Sequence, residues 1–441
     1  MLVLAIGIVL RVWFMLGYRP AFLGYADSAA YVRSADVDLF GSSFRPAGYP
    51  AFLRLAHFAS SNLSFTIALQ HALGVGTAAL LYASVRRVGG PRWAALLPAV
   101  AVVFDGLTLF LEHAVLSESV FDFAVAAALY AAVRGLDAPS LRWSATGGIG
   151  FGVATSVRPI GIALVAAMTL WRIVAERPRR AALAPAAAIC LAAGAVVGVY
   201  QAVQVAQQGQ VGLTRASGWF YYGRVAPFAD CRRFRPPVGT RRLCESTPAS
   251  RRGNADHYIW DPDSPARRLF RIPKGNARLG AFARAAVTHQ PLDYVRAVAR
   301  DLVSYVKPDW GPRGLVYYLQ NRRDERMIRP VVASYYDFGG YHRDGAEELS
   351  HYATQFNVSG WPTAILIGLA VLAPFLARGR ARAGALAFAG TAVVLLVAPV
   401  LTLYANARYA VPALGPFAAG AALMLDALVV RWRGRARHRP G

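Results

Sequence analysis

The chain has 441 residues, 56% of them hydrophobic and 16% charged, with a formal net charge of +24 that is almost all arginine. So apolar a composition excludes an ordinary soluble domain. A basic excess of this size also suits nucleic acid, but most of the arginines flank apolar runs, so membrane topology accounts for the charge and no nucleic-acid partner is expected.

Residues 1–18 are an apolar run with no basic leader and no small-residue cleavage pattern, so a retained first crossing is expected. Loop 19–65 follows and carries Asp27 just past that crossing. A carboxylate at the water–lipid boundary can serve as general base for a substrate with a polar head and a lipid tail. The plainer reading is that Asp27 caps a short helix. In Arg45-Pro46-Ala47-Gly48-Tyr49-Pro50 the prolines and glycine favour a defined turn, holding Arg45 near Asp27, where it can grip a phosphate.

Apolar spans follow at 66–85, 93–111 and 118–133. Glu112, His113 and Glu118 fall at the outer ends of the third and fourth crossings and are expected to converge on the face of Asp27. There one of them would assist the base or orient a sugar. A divalent cation between Asp27 and His113 is an open alternative, but the spacing is not that of a metal motif and no metal site is assigned.

The stretch 144–171 reads as one helix or as two short ones meeting at Arg158-Pro159. Two helices put Arg86, Arg87, Arg92, Arg172, Arg177, Arg179 and Arg180 on one side, as the positive-inside rule prefers. Spans at 181–206, 361–377, 384–404 and 409–430 complete ten crossings with both ends cytoplasmic. Arg158 and Arg408 then lie at the outer lip of apolar spans, where a charge is costly and marks a functional group or a helix-holding pair, such as Arg158 with Glu118. Several outward arginines suit a phosphate at the bilayer surface.

Residues 207–360 form a long outward segment. Cys231 and Cys244 lie close together in it and are expected to bond in an oxidising exterior. The aromatic run 218–224 reads as a membrane-interface belt or a sugar-stacking surface, and 291–306 as an amphipathic helix with Leu292, Val295, Val298, Leu302 and Tyr305 on one face. Lys307 leads back toward the membrane and is a further candidate for the pocket.

Taken together, Asp27-Ser28-x-x-Tyr31, Arg45-Pro46-x-Gly48-Tyr49-Pro50, Ser117-Glu118-Ser119, Arg158-Pro159-x-Gly161 and Arg408-Tyr409-x-x-Pro412 resemble the GT-C glycosyltransferases, in the branch of bacterial protein mannosyltransferases and aminoarabinose transferases. The resemblance covers roughly 1–206 and 361–430. It implies an all-α, polytopic GT-C-like bundle of about ten transmembrane helices, divided into a transmembrane module (1–206), an exoplasmic soluble segment (207–360) and C-terminal helices with a basic cytoplasmic tail (361–441). It further implies inverting transfer of a sugar from a polyprenyl-monophosphate donor, at the outer face of the cytoplasmic membrane, to a protein, lipid or wall-glycan acceptor. Asp27 would be the base, with Glu118 or Glu112 as a second acid. Arg158 and Arg408 would take the phosphate, with Arg45, Tyr31, Tyr409, His113 and Lys307 completing the substrate site. One departure is Ser28, where many relatives carry a second acid. Two other readings use the same arginines: a transporter or flippase of a lipid-linked sugar, and a polysaccharide ligase or polymerase with a diphosphate-linked donor.

Overall fold

The computed structural model of the chain describes residues 2–137, 140–176, 178–271, 274–307, 316–317 and 320–436. Arg177, residues 308–315 beyond Lys307 and the end of the basic tail at 437–441 lie outside the described residues. Among those described, the regular elements are helices, and extended chain pairs only in three isolated bridges.

The first half runs α1 (Leu2–Gly17), α2 (Ala26–Asp36), α3 (Gly48–Ala59), α4 (Leu63–Arg87), α5 (Arg92–Phe104), α6 (Gly106–Glu112), α7 (Glu118–Arg134), α8 (Leu141–Val157), α9 (Gly161–Ala175) and α10 (Arg179–Gln208). Three apolar helices close the chain: Trp361–Leu376, Gly379–Thr402 and Ala407–Ala436. This is a multi-pass membrane protein. Among the described residues four helices (α4, α10 and the last two) are long and apolar enough to span hydrocarbon, and α5 with α6 makes a fifth if the bent pair is one span. Each of the ten expected crossings coincides with a helix or a bent pair, though the remaining ones fall short on length or apolarity.

The first break has a local cause and the second is stabilised from a distant part of the chain. Between α8 and α9, Pro159 has no N–H to continue the ladder, and Gly161 packs so closely that a Cβ there would sit 2.5 Å from the backbone nitrogen of Thr155. The chain turns back, so α8 and α9 form a hairpin rather than one long helix. Arg172, at the far end of α9, donates to the carbonyl of Gly135 at the end of α7 (3.2 Å). Arg87 of α4 and Arg380 of the Gly379–Thr402 helix both grip Asp137, each at 2.6 Å. The arginines expected to share a side therefore meet at one end of the bundle. The second break, 55° between α5 and α6, was not legible beforehand. Asp105 caps α6 by accepting from Thr108 N (2.8 Å) and also accepts from Val358 N (2.9 Å), while Tyr352 donates to the freed carbonyl of Phe104 (2.9 Å).

The segment after α10 has its own core of Trp219, Tyr222, Tyr258 and Phe282. It includes α11 (Ser217–Val225), α12 (Ala255–Trp260), α13 (Pro265–Leu269), α14 (Asn276–His289) and α15 (Pro291–Ser304). Along α15 and its C-cap Tyr305 the expected apolar face divides: Val298 and Tyr305 are buried, whereas Leu292 and Val295 are exposed. Cys231 and Cys244 are joined by a disulfide with Cα atoms 5.8 Å apart. A loop of this length is worth about 3 kcal/mol in the chain-entropy model. Cys231→Ser is expected to lower the urea midpoint of proteolytic protection at residues 217–289 accordingly, and peptide mapping of the native chain should yield the linked pair only without reductant.

Candidate active site

At the end of the bundle opposite Asp137, four distant parts of the chain meet. Asp27 lies in the first turn of α2, Arg45 just before α3, Glu118 at the start of α7, Arg158 in the α8–α9 break and Arg408 at the start of the last helix. Asp27 is not the cap of its helix; Tyr25 occupies that position. Its side chain turns instead to two arginines: Arg45 donates to Oδ1 at close range, and Arg408 Nη1 donates to Oδ2 at 2.6 Å. Arg408 also reaches Glu118 with Nε and with Nη2 (3.3 Å), and Arg158 Nη1 donates to Glu118 Oε1 at 3.2 Å. Asp27, Glu118 and Arg408 are all buried.

The rings around the cluster hold its cations. Arg45 lies over Trp260 (5.2 Å to the centroid), Arg408 over Tyr25 (5.0 Å) and Arg158 over Tyr409 (5.4 Å). Tyr31 donates to Ser117 Oγ (3.2 Å), beside Glu118. Gly48 lets α3 seat against α8, since a Cβ there would fall 2.5 Å from the carbonyl of Ser156. Three guanidiniums face two carboxylates, so these five groups leave one positive charge over. Burial pushes the Asp27 carboxyl up, but Arg45 and Arg408 outweigh it and hold the pKa at about 2.

The cluster forms one end of a cavity of about 480 Å³, a size that suits a small-molecule site. A second wall is apolar, from Ile160 at the N-cap of α9, Ile162 and Ala163 on α9, and Leu395, Ala398 and Pro399 on the Gly379–Thr402 helix. A third comes from the outer segment, with residues 210–215, Phe220, Tyr221 and Asn276. The aromatic run 218–224 thus divides, Phe220 and Tyr221 facing the cavity and Trp219 and Tyr222 the outer core.

The structure gathers Asp27, Arg45, Glu118, Arg158, Arg408, Tyr31 and Tyr409 and leaves three expected residues out. Lys307 is exposed beyond α15 and does not line the cavity. Glu112 and His113 turn inward. Glu112 accepts from Arg11 Nη2 (2.8 Å) and faces His71 Nδ1 (2.8 Å), His71 Nε2 faces His113 Nδ1 (3.0 Å), and His113 Nε2 meets the carbonyl of Tyr18 (2.9 Å). The cause is that α6 ends within the bundle, with Gly74 of α4 leaving space that Glu112 fills. Since the Tyr18 carbonyl can only accept, His113 donates through Nε2, and one proton must lie between the two rings and another between His71 and Glu112. Asp27 and His113 therefore do not meet around a cation, and no group of three metal-ligating side chains occurs among the described residues. Arg11 and His71 were missed, although a charge within the first apolar run was itself a signal of a buried partner.

The sequence profile of the family described as dolichyl-phosphate-mannose-protein mannosyltransferase matches residues 54–199, about a third of the chain. That stretch takes in Glu118 and Arg158 and excludes Asp27, Arg45 and Arg408. Over it, the resemblance read from the motifs is met by the family itself. No curated protein sequence matches the chain. Among solved structures, the S. cerevisiae protein O-mannosyltransferase Pmt1-Pmt2 complex bound to the sugar donor is similar at 17% identity and a TM-score of 0.38, over 51% of this chain and 36% of that one. The oligosaccharyltransferase of Archaeoglobus fulgidus, tethered with an acceptor peptide, is similar at 13% identity and a TM-score of 0.47, over 98% of this chain and 50% of that one. The same enzyme with an inhibitory peptide and a dolichol-phosphate gives 14% and 0.45, over 100% and 52%. The chain thus spans about a third to a half of the length of these structures.

Arg408→Ala would leave two buried carboxylates without their shared cation and is expected to cost about 3–5 kcal/mol, read as a lower unfolding temperature in detergent. Lysine at 408 cannot fork between Asp27 and Glu118 and should recover only part. Asp27 has its pKa depressed from 3.8 to about 2, so its pairing stabilises fully above about pH 4 and is lost as the pH falls through 2. Unfolding midpoints between pH 5 and 2 should fall less steeply for Asp27→Asn than for the parent chain.

Proposed function

We propose that the chain is an inverting glycosyltransferase that takes its sugar from a polyprenyl monophosphate at the outer face of the cytoplasmic membrane. One observation carries this reading: a single cavity with surplus guanidinium charge around a carboxylate at one end and an apolar helix wall at the other. An anionic headgroup with a hydrocarbon tail satisfies both ends. The family matched over residues 54–199 is named for a donor of this class.

In the proposed reaction Arg45 and Arg158 clasp the donor phosphate. When Arg45 turns to the phosphate, Asp27 Oδ1 is released while Arg408 keeps Oδ2. The freed carboxylate recovers proton affinity and accepts the proton of the acceptor hydroxyl. That oxygen bonds to the anomeric carbon as the bond from carbon to phosphate oxygen breaks on the opposite face. Polyprenyl phosphate departs with its added negative charge matched by the arginines. Glu118 acts through Arg158 and Arg408, which it holds, so it is a positioning residue rather than a second base. Tyr31 and Tyr409 shape the cavity beside it, and the acceptor enters from the wall formed by residues 210–215, Phe220, Tyr221 and Asn276.

The test uses detergent-purified protein with a panel of polyprenyl-phosphate sugars, mannose first, and the diphosphate-linked equivalents. Transfer is expected from a monophosphate donor, with Asp27→Asn lowering turnover by about 10²–10⁴-fold while polyprenyl phosphate still binds. Full turnover by Asp27→Asn sinks the assignment of the base. Transfer from diphosphate donors alone would favour a ligase or polymerase, and binding without any transfer would favour a transporter.

A further inference from the structure

Gln70 lies in the middle of the site's scaffold, on a membrane helix, and is fully buried. Its amide has one acceptor and two donors, and all are used. Oε1 accepts from Tyr49 Oη at 2.6 Å, while Nε2 donates to the carbonyls of Glu112 (2.8 Å) and Ala114 (2.7 Å). Tyr49 lies in the first turn of α3, just after the turn that delivers Arg45, and Ala114 lies in the one that delivers Glu118. The same two segments meet again through Tyr31, whose ring packs edge-on against Tyr49 (4.7 Å between centroids) and whose hydroxyl reaches Ser117.

Resting on the catalytic reading above, we infer that Gln70 is a positioning residue: one amide sets the separation between the Asp27–Arg45 loop and the Glu118 turn. The two acids gripping Arg408 come from those two segments, so a shift between them changes whether one guanidinium can bridge both. Leucine or methionine would pack the same volume in a membrane helix without a polar group to satisfy. The fully engaged amide therefore points to geometry as its role. Misplacement of about 1 Å at a reacting centre costs on the order of 100-fold in rate.

Gln70→Met is expected to lower kcat for transfer from polyprenyl-phosphate mannose, or whichever panel donor is active, by about 10- to 100-fold, with the donor KM changed less than about threefold. Loosening of the Arg408 bridge would also move the acid limb of the rate profile to higher pH. Tyr49→Phe removes one arm and should cost less. The double variant should be no slower than Gln70→Met, because both lose the same bond. Gln70→Glu keeps the acceptor for Tyr49 but turns a carboxylate oxygen toward the carbonyls of Glu112 and Ala114, so it should not recover the rate. A parental kcat and pH profile in Gln70→Met, or a lowered unfolding temperature with parental kcat per folded molecule, overturns the inference. So does additive loss in the double variant. If Asp27→Asn is itself fully active, the catalytic reading has failed instead, which keeps the two failures apart.

Discussion

Arg408 is the hinge of this structure. It stands at the start of the last helix, yet its guanidinium joins Asp27 and Glu118 from the first half of the chain. A buried charge that loses its partner is far more costly than a surface one, so the bridge fixes how the C-terminal helices close against α2 and α7. The cavity is bordered by this bridge at one end and by the apolar faces of α9 and the Gly379–Thr402 helix at the other.

The bundle has two ionic ends with different chemistry. At one, Asp137 takes Arg87 and Arg380, all partly exposed. Such pairs contribute little energy; they pin helix ends at a level that water reaches. At the other, Glu118 and Arg408 are almost dry, and rings cover the guanidinium faces. Between these levels lies a third cluster, Arg11–Glu112–His71–His113, that ties α1, α4 and α6. Gln70 stands beside it on α4, so the helix that anchors this cluster also ties the start of α3, beside Arg45, to the turn before Glu118.

Much of the site was legible because costly residues had to have reasons. Arg158 and Arg408 at the lips of apolar spans and Asp27 just beyond the first crossing required partners: Asp27 and Arg408 found each other, and Arg158 found Glu118. Pro159 likewise marked the turn between α8 and α9. What was not legible was direction. Glu112 and Glu118 are six positions apart with similar neighbours, yet one faces Arg11 and the other Arg408. The difference arises from the bend after Phe104, stabilised by contacts from residues 352–358 that no local pattern announces. Gln70 escaped notice for a related reason: an amide in an apolar helix has no charge, and its partners are backbone carbonyls that every residue supplies.

The lattice of five charged groups also bears on how one site can be firm and still open. All three arginines border the cavity, but Arg408 is only about 5% exposed, whereas Arg45 and Arg158 are 17% and 14% exposed. A ligand anion entering there meets the two outer arms first. Each outer arm makes one ion pair with a carboxylate, while the hub grips two. Exchange of Asp27 for an incoming phosphate at Arg45 swaps one charge-assisted pair for another, so the cost is small. Exchange at Arg408 would break both acids from their common cation and unseat the last helix. The proposed division of labour follows from that asymmetry: Arg45 and Arg158 move to the substrate, and Arg408 stays to keep the base in place.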